Sequence, residues 1–139
     1  MRVTRRYRFA ASHRLHSAVF TEEQNRDLYG KCSNPYGHGH DYVLDVTAVG
    51  PINPESGQVV HIPTLDRLVS DQVLRDFDHR YLNADLSEFK TLVPTSENII
   101  RVIEDRLAAC WPAAFPGPGP RLEGIRLRET KRNSFELKS

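Results

Sequence analysis

Two stretches of the chain, each about a dozen residues long, alternate with a period of two, and this pattern limits the fold more than any other feature. In residues 3 to 15, Val3, Tyr7, Phe9, Ala11, His13 and Leu15 share one parity, and Thr4, Arg6, Arg8, Ser12 and Arg14 share the other. In residues 38 to 49, His38, His40, Tyr42, Leu44, Val46 and Ala48 fall on one side, and Asp41, Asp45 and Thr47 on the other. Such alternation marks half-buried strands with one apolar face. Three histidines, His13, His38 and His40, therefore sit on the apolar parity. The polar stretch between the strands holds a Tyr29-Gly30 turn, an Asn34-Pro35-Tyr36-Gly37 turn and Cys32. It reads as a long connection, and long connections in compact domains tend to carry function.

Downstream, residues 50 to 57 read as a loop leading to a short third strand over Gln58 to Ile62, after which Pro63-Thr64 opens a helix. Leu65, Leu68, Val69, Val73 and Phe77 form its apolar stripe. A second helix follows Pro94-Thr95-Ser96-Glu97, where Thr95 or Ser96 can cap free amides and Glu97 suits the positive end of the dipole. Ile99, Val102, Ile103 and Leu107 give its buried side. Four prolines and two glycines in residues 112 to 120 read as a connection outside any helix. Final strands are expected over about 122 to 129 and 134 to 138. The order ββ(β)ααββ is that of one α+β domain over residues 1–139, an antiparallel sheet with two helices on one face. Its other face and both edges are left uncovered, which predicts closure by further copies of the chain, a homo-oligomer.

Composition narrows the class. The chain has 139 residues, 39% hydrophobic and 27% charged, and no apolar run approaches the roughly 18 residues that span a bilayer. No secretory signal is visible, and two cysteines, Cys32 and Cys110, are too few for a disulfide framework; both point to a cytoplasmic protein. A net charge of +1 argues against general nucleic-acid binding. The charge is uneven: residues 1 to 16 carry five arginines and no acid, while residues 17 to 120 carry 8 bases against 15 acids. The expected consequence is that basic strands pair with acidic ones; a bound anion is the lesser alternative.

His38-Gly39-His40 places two imidazoles on one face of a strand, and His13 joins them from the neighbouring strand. Three neutral imidazoles with an open fourth position are the arrangement of a catalytic zinc. Cys32 lies next to Lys31 and close in sequence to His38, where nearby cations would favour its thiolate. It could instead be a fourth ligand or an inert thiol. Cys110, beside Trp111, reads as packing. In Asp78-His79 the carboxylate can orient an imidazole that activates a thiol. Glu129 shares parity with Ile125 and Leu127, so a carboxylate points to the apolar side, where a ligand edge rich in N–H donors, an arginine or backbone amides would satisfy it.

Phe9 to Leu15, Tyr29 to Tyr42, Asp78-His79-Arg80-Tyr81-Leu82-Asn83, Pro94-Thr95-Ser96-Glu97-Asn98 and Glu129-Thr130 together resemble the 6-pyruvoyl-tetrahydropterin synthase family, over nearly the whole chain. The resemblance implies the tunnelling fold, whose trimers close into a barrel and stack as a hexamer. It implies zinc on His13, His38 and His40, Cys32 as general base, Asp78 and His79 completing a triad from a neighbouring subunit, and Glu129 anchoring a pterin ring. Thr95 would help hold the pterin by matching position, and Arg14 and Lys31 are candidates for its triphosphate. The implied reaction takes 7,8-dihydroneopterin triphosphate to 6-pyruvoyl-tetrahydropterin, a carbon–oxygen lyase step that releases triphosphate, supported by magnesium, in tetrahydrobiopterin-type biosynthesis.

Five residues separate Cys32 from His38, as in the pyruvoyl-forming branch, and no Glu occurs between them. The alternatives are the 6-carboxytetrahydropterin synthase of queuosine biosynthesis, which typically has three residues in that gap, and a non-catalytic zinc- or pterin-binding oligomer. Three features depart from the family pattern: His61, the long Pro-rich connection, and the basic Lys131-Arg132 pair.

Overall fold

A computed structural model describes residues 1–139. Strands β1 (Arg2–His13) and β2 (His38–Val49) form the centre of the sheet. They pair antiparallel along their whole length, from Arg2 opposite Val49 to His13 opposite His38. β4 (Arg121–Arg128) and β5 (Ser134–Lys138) extend the sheet antiparallel from β2. The two-residue β3 (Arg80–Tyr81) adds a parallel edge to β1, giving the order β3-β1-β2-β4-β5. The register slips between Thr47 and Ala48, opposite Gly124. At Gly124 a side chain would place its Cβ 2.7 Å from the Leu137 carbonyl oxygen, so the close approach of β5 demands glycine there.

The first expected helix is observed as α2 (Ile62–Val69), continuing through a π turn at Ser70–Leu74 into α3 (Arg75–Phe77). After the short α4 (Leu82–Asp85), the long α5 (Ser96–Ala114) begins where the Pro94-Thr95-Ser96 signal places it. Leu65, Val69, Val73, Phe77, Ile99, Ile103 and Leu107 join Tyr7, Phe9, Tyr42, Leu44 and Leu127 in one core of 25 buried residues. The Phe9 and Tyr42 rings, paired by register, stack at 5.0 Å, and Phe77 meets Phe9 edge-on at 5.6 Å. Contacts of this kind add about 0.5–1.5 kcal/mol each beyond the area they bury. They form the floor beneath the histidine end of the sheet.

Three local expectations need correction. Gln58 to Ile62 is not a strand: Asn53 and Gln58 close the preceding loop on itself (Asn53 N to Gln58 O, 2.8 Å), and Val59 and Val60 plug the core without a strand partner. Helix α5 runs on through Pro112, because Trp111 is 6% exposed and its indole donates to the Pro120 carbonyl at 2.8 Å. That anchorage offsets one missing amide bond in the last turn. The connection between β1 and β2 contains α1 (Glu22–Tyr29), opened by a reciprocal capping box between Thr21 and Gln24.

Candidate active site

The alternation that makes β1 and β2 strands also carries His13 and His40 to the core side of the sheet's end. His13 is fully buried, and its Nδ1 lies 2.8 Å from the carbonyl oxygen of Pro94. With Nδ1 donating its proton there, Nε2 carries the free lone pair, as in metal-ligating histidines held by a carbonyl. That Nε2 has no hydrogen-bond partner, and neither does Nε2 of His40. Two orphaned buried nitrogens in one pocket are costly unless a ligand meets them.

The ligand atoms of His13, Cys32 and His40 lie within 4.8 Å of one another. The His38 ring packs edge-on to His40, 4.7 Å between centroids, but is exposed and stands outside that set. The structure therefore converges His13 and His40 as expected, puts His38 alongside, and brings the Cys32 thiol into the same cluster. Burial, partly offset by the Pro94 contact and Glu129, lowers the His13 pKa, and burial likewise lowers that of His40. Both rings are thus held neutral, the form that binds a cation. The donor set is compatible with a metal ion, reached through the two orphaned nitrogens.

Cys32 is fixed by its own backbone. Its carbonyl accepts from Leu15 N at 2.6 Å, and the next carbonyl, of Ser33, accepts from Arg14 Nε at 3.3 Å. Asn83 clamps the chain leaving β1 by bonding both Arg14 N and Arg14 O at 2.8 Å. Arg14 thus braces the Cys32 loop. Gly37 has φ +81, and a Cβ there would meet the Tyr81 ring at 3.0 Å and the His13 carbonyl oxygen at 3.2 Å; only glycine lets the loop enter β2 so close to the site. Gly39, by contrast, would accept a side chain, its nearest atom lying 3.9 Å away. Within the chain itself, burial first and then the Glu129 carboxylate push the Cys32 thiol pKa up, so favouring of the thiolate by cations would have to come from a bound ion.

Glu129 follows β4 and points into the same pocket, as its parity predicts. One carboxylate oxygen accepts from the Ser96 hydroxyl, and the other stands 3.8 Å from His40 Nε2. Thr95 is the N-cap of α5, its hydroxyl accepting from Asn98 N at 3.3 Å. Lys31 lines a polar cavity of about 330 Å³ next to His38, together with Glu22, Arg26 and Asn34.

Asp78 and His79 lie elsewhere. Asp78 Oδ1 accepts from Ala10 N at 2.9 Å and stands 3.1 Å from His79 Nδ1. The His79 side chain is 82% exposed on a backbone at φ 59, a left-handed conformation uncommon for a residue with a side chain. It borders a cleft on the sheet with Ser12, His40, Asp41, Arg80 and Asp85; His40 is shared with the cluster, but Cys32 and His13 do not line this cleft. Within one chain the pair does not join the cluster around Cys32. Sequence reasoning missed Ser96, Pro94 and Asn83 as supports of the site. Pro94, Ser96 and Asn83 all stand inside the motifs already singled out, but nothing in their residue types announced a contact with His13, Glu129 or the Arg14 backbone.

A family model described as 6-pyruvoyl tetrahydropterin synthase matches residues 2–139. The chain is 39% identical over 131 residues to the 6-pyruvoyl tetrahydrobiopterin synthase of Poecilia reticulata, covering 94% of this chain and 85% of the relative. The protein of the same name from Homo sapiens is 37% identical, with 94% and 86% covered. The solved structure of Caenorhabditis elegans 6-pyruvoyl tetrahydropterin synthase superposes with a TM-score of 0.88 at 36% identity, covering 100% of this chain and 95% of that one. A 6-carboxy-5,6,7,8-tetrahydropterin synthase of Bacillus subtilis (strain 168) is 32% identical over 88 residues, 60% of this chain and 56% of the relative.

Proposed function

The chain belongs to the 6-pyruvoyl tetrahydropterin synthase family and has its tunnelling fold, and from that premise we propose that it converts 7,8-dihydroneopterin triphosphate to 6-pyruvoyl-tetrahydropterin with release of triphosphate. The observation that carries this is the pair of orphaned imidazole nitrogens on His13 and His40, beside the Cys32 thiol and in sight of Glu129. The reading makes the protein a carbon–oxygen lyase working in the cytoplasm as one domain per chain.

In this reading His13 and His40, with His38 alongside, hold zinc. When bound, the ion would acidify the substrate's side-chain hydroxyls and polarise a developing carbonyl. Cys32 moves a carbon-bound proton of the side chain, as a thiolate whose formation the ion favours against burial. Glu129 accepts from the N–H edge of the pterin ring and sets the side chain against Cys32. The change is an elimination of triphosphate with internal rearrangement of hydrogens, so no external oxidant enters. Lys31 faces the triphosphate across the polar cavity; Arg14 supports the Cys32 loop and has guanidinium N–H groups left for phosphate. Magnesium serves the triphosphate. Thr95, engaged in capping, contributes its place in the wall of the pocket.

Asp78 and His79 belong in this scheme to the site of a neighbouring subunit. His79's exposure and left-handed backbone favour that reading, since an exposed imidazole held in an uncommon conformation is suited to reach outward. The same reading takes the assembly to be a hexamer of two trimers with sites at subunit interfaces. The test is to incubate zinc-loaded protein with 7,8-dihydroneopterin triphosphate and magnesium and identify the products by mass spectrometry. Triphosphate with 6-pyruvoyl-tetrahydropterin is expected. Acetaldehyde with a carboxylated pterin would move the protein to the queuosine branch, and bound zinc without turnover would make it a binding protein.

A further inference from the structure

Ser96 opens α5, is 2% exposed, and donates its hydroxyl to Glu129 Oε2. Nothing in the scheme above uses it. The neighbouring Thr95 hydroxyl accepts the helix-cap bond from Asn98 N, and Ser96 is the residue whose hydroxyl reaches the carboxylate. A glutamate has three rotatable side-chain bonds, and ordering them costs entropy that a single buried hydrogen bond can offset in advance of ligand binding. A carboxylate offers about four acceptor positions on two oxygens. Ser96 takes one on Oε2, while Oε1, 3.8 Å from His40 Nε2, is too far to accept from it. The remaining positions are free for a flat ligand edge with paired N–H donors.

The same short segment also touches the other half of the site: Pro94 O holds His13 Nδ1 at 2.8 Å, two residues before Ser96 holds Glu129. The entry to α5 thereby fixes the spacing between the imidazole pair and the carboxylate. We infer that Ser96 is a positioning residue, setting the Glu129 rotamer so that its free acceptors face the substrate ring at a fixed distance from His13 and His40. The inference rests on the proposed role of Glu129 as ring anchor.

The test compares full-length Ser96→Ala, Ser96→Thr and Glu129→Gln with the unaltered protein in three measurements. These are KM and kcat for 7,8-dihydroneopterin triphosphate, Kd for 7,8-dihydroneopterin, and zinc content. Ser96→Ala should raise KM and Kd about tenfold, the scale of a lost hydrogen bond to a charged group, with kcat and zinc little changed. Ser96→Thr, which keeps the hydroxyl, should restore both, and Glu129→Gln should weaken binding further. Ser96→Ala binding like the unaltered protein while Glu129→Gln binds weakly would overturn the inference and leave the anchor standing. Unchanged binding by Glu129→Gln would remove the anchor and the inference together. Absent turnover with intact Kd effects would count against the reaction alone. Where Ser96→Ala does not fold, Ser96→Cys keeps the volume with a weaker donor, and unchanged Kd in that variant likewise overturns the inference.

Discussion

The two faces of the same pair of strands treat polar groups in opposite ways. On the face away from the helices, Arg6 meets Asp45 through two bonds at 2.9 and 3.0 Å, and Arg2 meets Glu123. These pairs sit at the surface, and their contribution is small and screened by salt. On the core face, at the His end, Nε2 of His13 and of His40 is buried with no partner. The difference sets paired surface charges against two buried nitrogens whose hydrogen-bonding capacity is unused, the capacity the proposed metal site would draw on. The expected pairing of basic with acidic strands is thus half observed, since Arg6 does pair with Asp45 while Arg2 finds its partner on β4.

The sharpest way to break this contrast is Cys32→Ala, which should lower turnover by about 10²–10⁴-fold, the usual contribution of a positioned base. Zinc content measured in parallel separates two roles, because the thiol lies within the imidazole cluster. Retained zinc makes Cys32 the proton carrier; lost zinc makes it a ligand. Next in size, zinc added to the apo protein should raise the melting temperature through binding to the folded state alone, by roughly 4 kcal/mol at a thousandfold excess over Kd. His13→Ala should abolish that rise, while Asp45→Asn on the other face should keep it.

A pH series should then separate the faces. Burial lowers the His13 and His40 pKa values below 6.5, so the unfolded chain takes up more protons there than the folded one. Stability of the apo protein is therefore full above that value and falls as the pH drops below it. The Asp45 carboxyl, lowered from 3.8 chiefly by its bond to Arg6, keeps its contribution down to that value and loses it as the pH falls further, through its folded pKa. Denaturant midpoints followed downward from neutral pH should show two separate declines; zinc should suppress the first and leave the second. The smallest effect is expected from Asp45→Asn at neutral pH, a slight fall in melting temperature that high salt erases.

Much of this contrast was legible in the residues. Alternation gave β1 and β2 and put His13, His38 and His40 on one parity, and the Thr95-Ser96-Glu97 signal marked the start of α5. Glu129 was aimed correctly by parity with Leu127. What the sequence hid depends on tertiary partners. α1 carries a capping box but buries only Asn25, so it lacks the apolar stripe that reveals a helix. Pro112 is kept helical by Trp111, whose partner is nine positions away at Pro120. β3 is two residues long and exists only because β1 lies beside it. Ser96 reaches Glu129 across 33 positions, a contact no local pattern encodes. The Asp78-His79 pair was visible as a dipeptide, yet only the fold reveals that it is not part of the His13, Cys32 and His40 cluster of its own chain.

The most direct test of the central claim is a zinc titration of the metal-free protein at neutral pH, read by equilibrium dialysis with elemental analysis, beside the His13→Ala/His40→Ala double variant. One zinc per chain in the unaltered protein and none in the folded double variant is the predicted result. No bound zinc in the unaltered protein, or equal zinc in both, would contradict the claim that the unpartnered imidazoles are the binding centre.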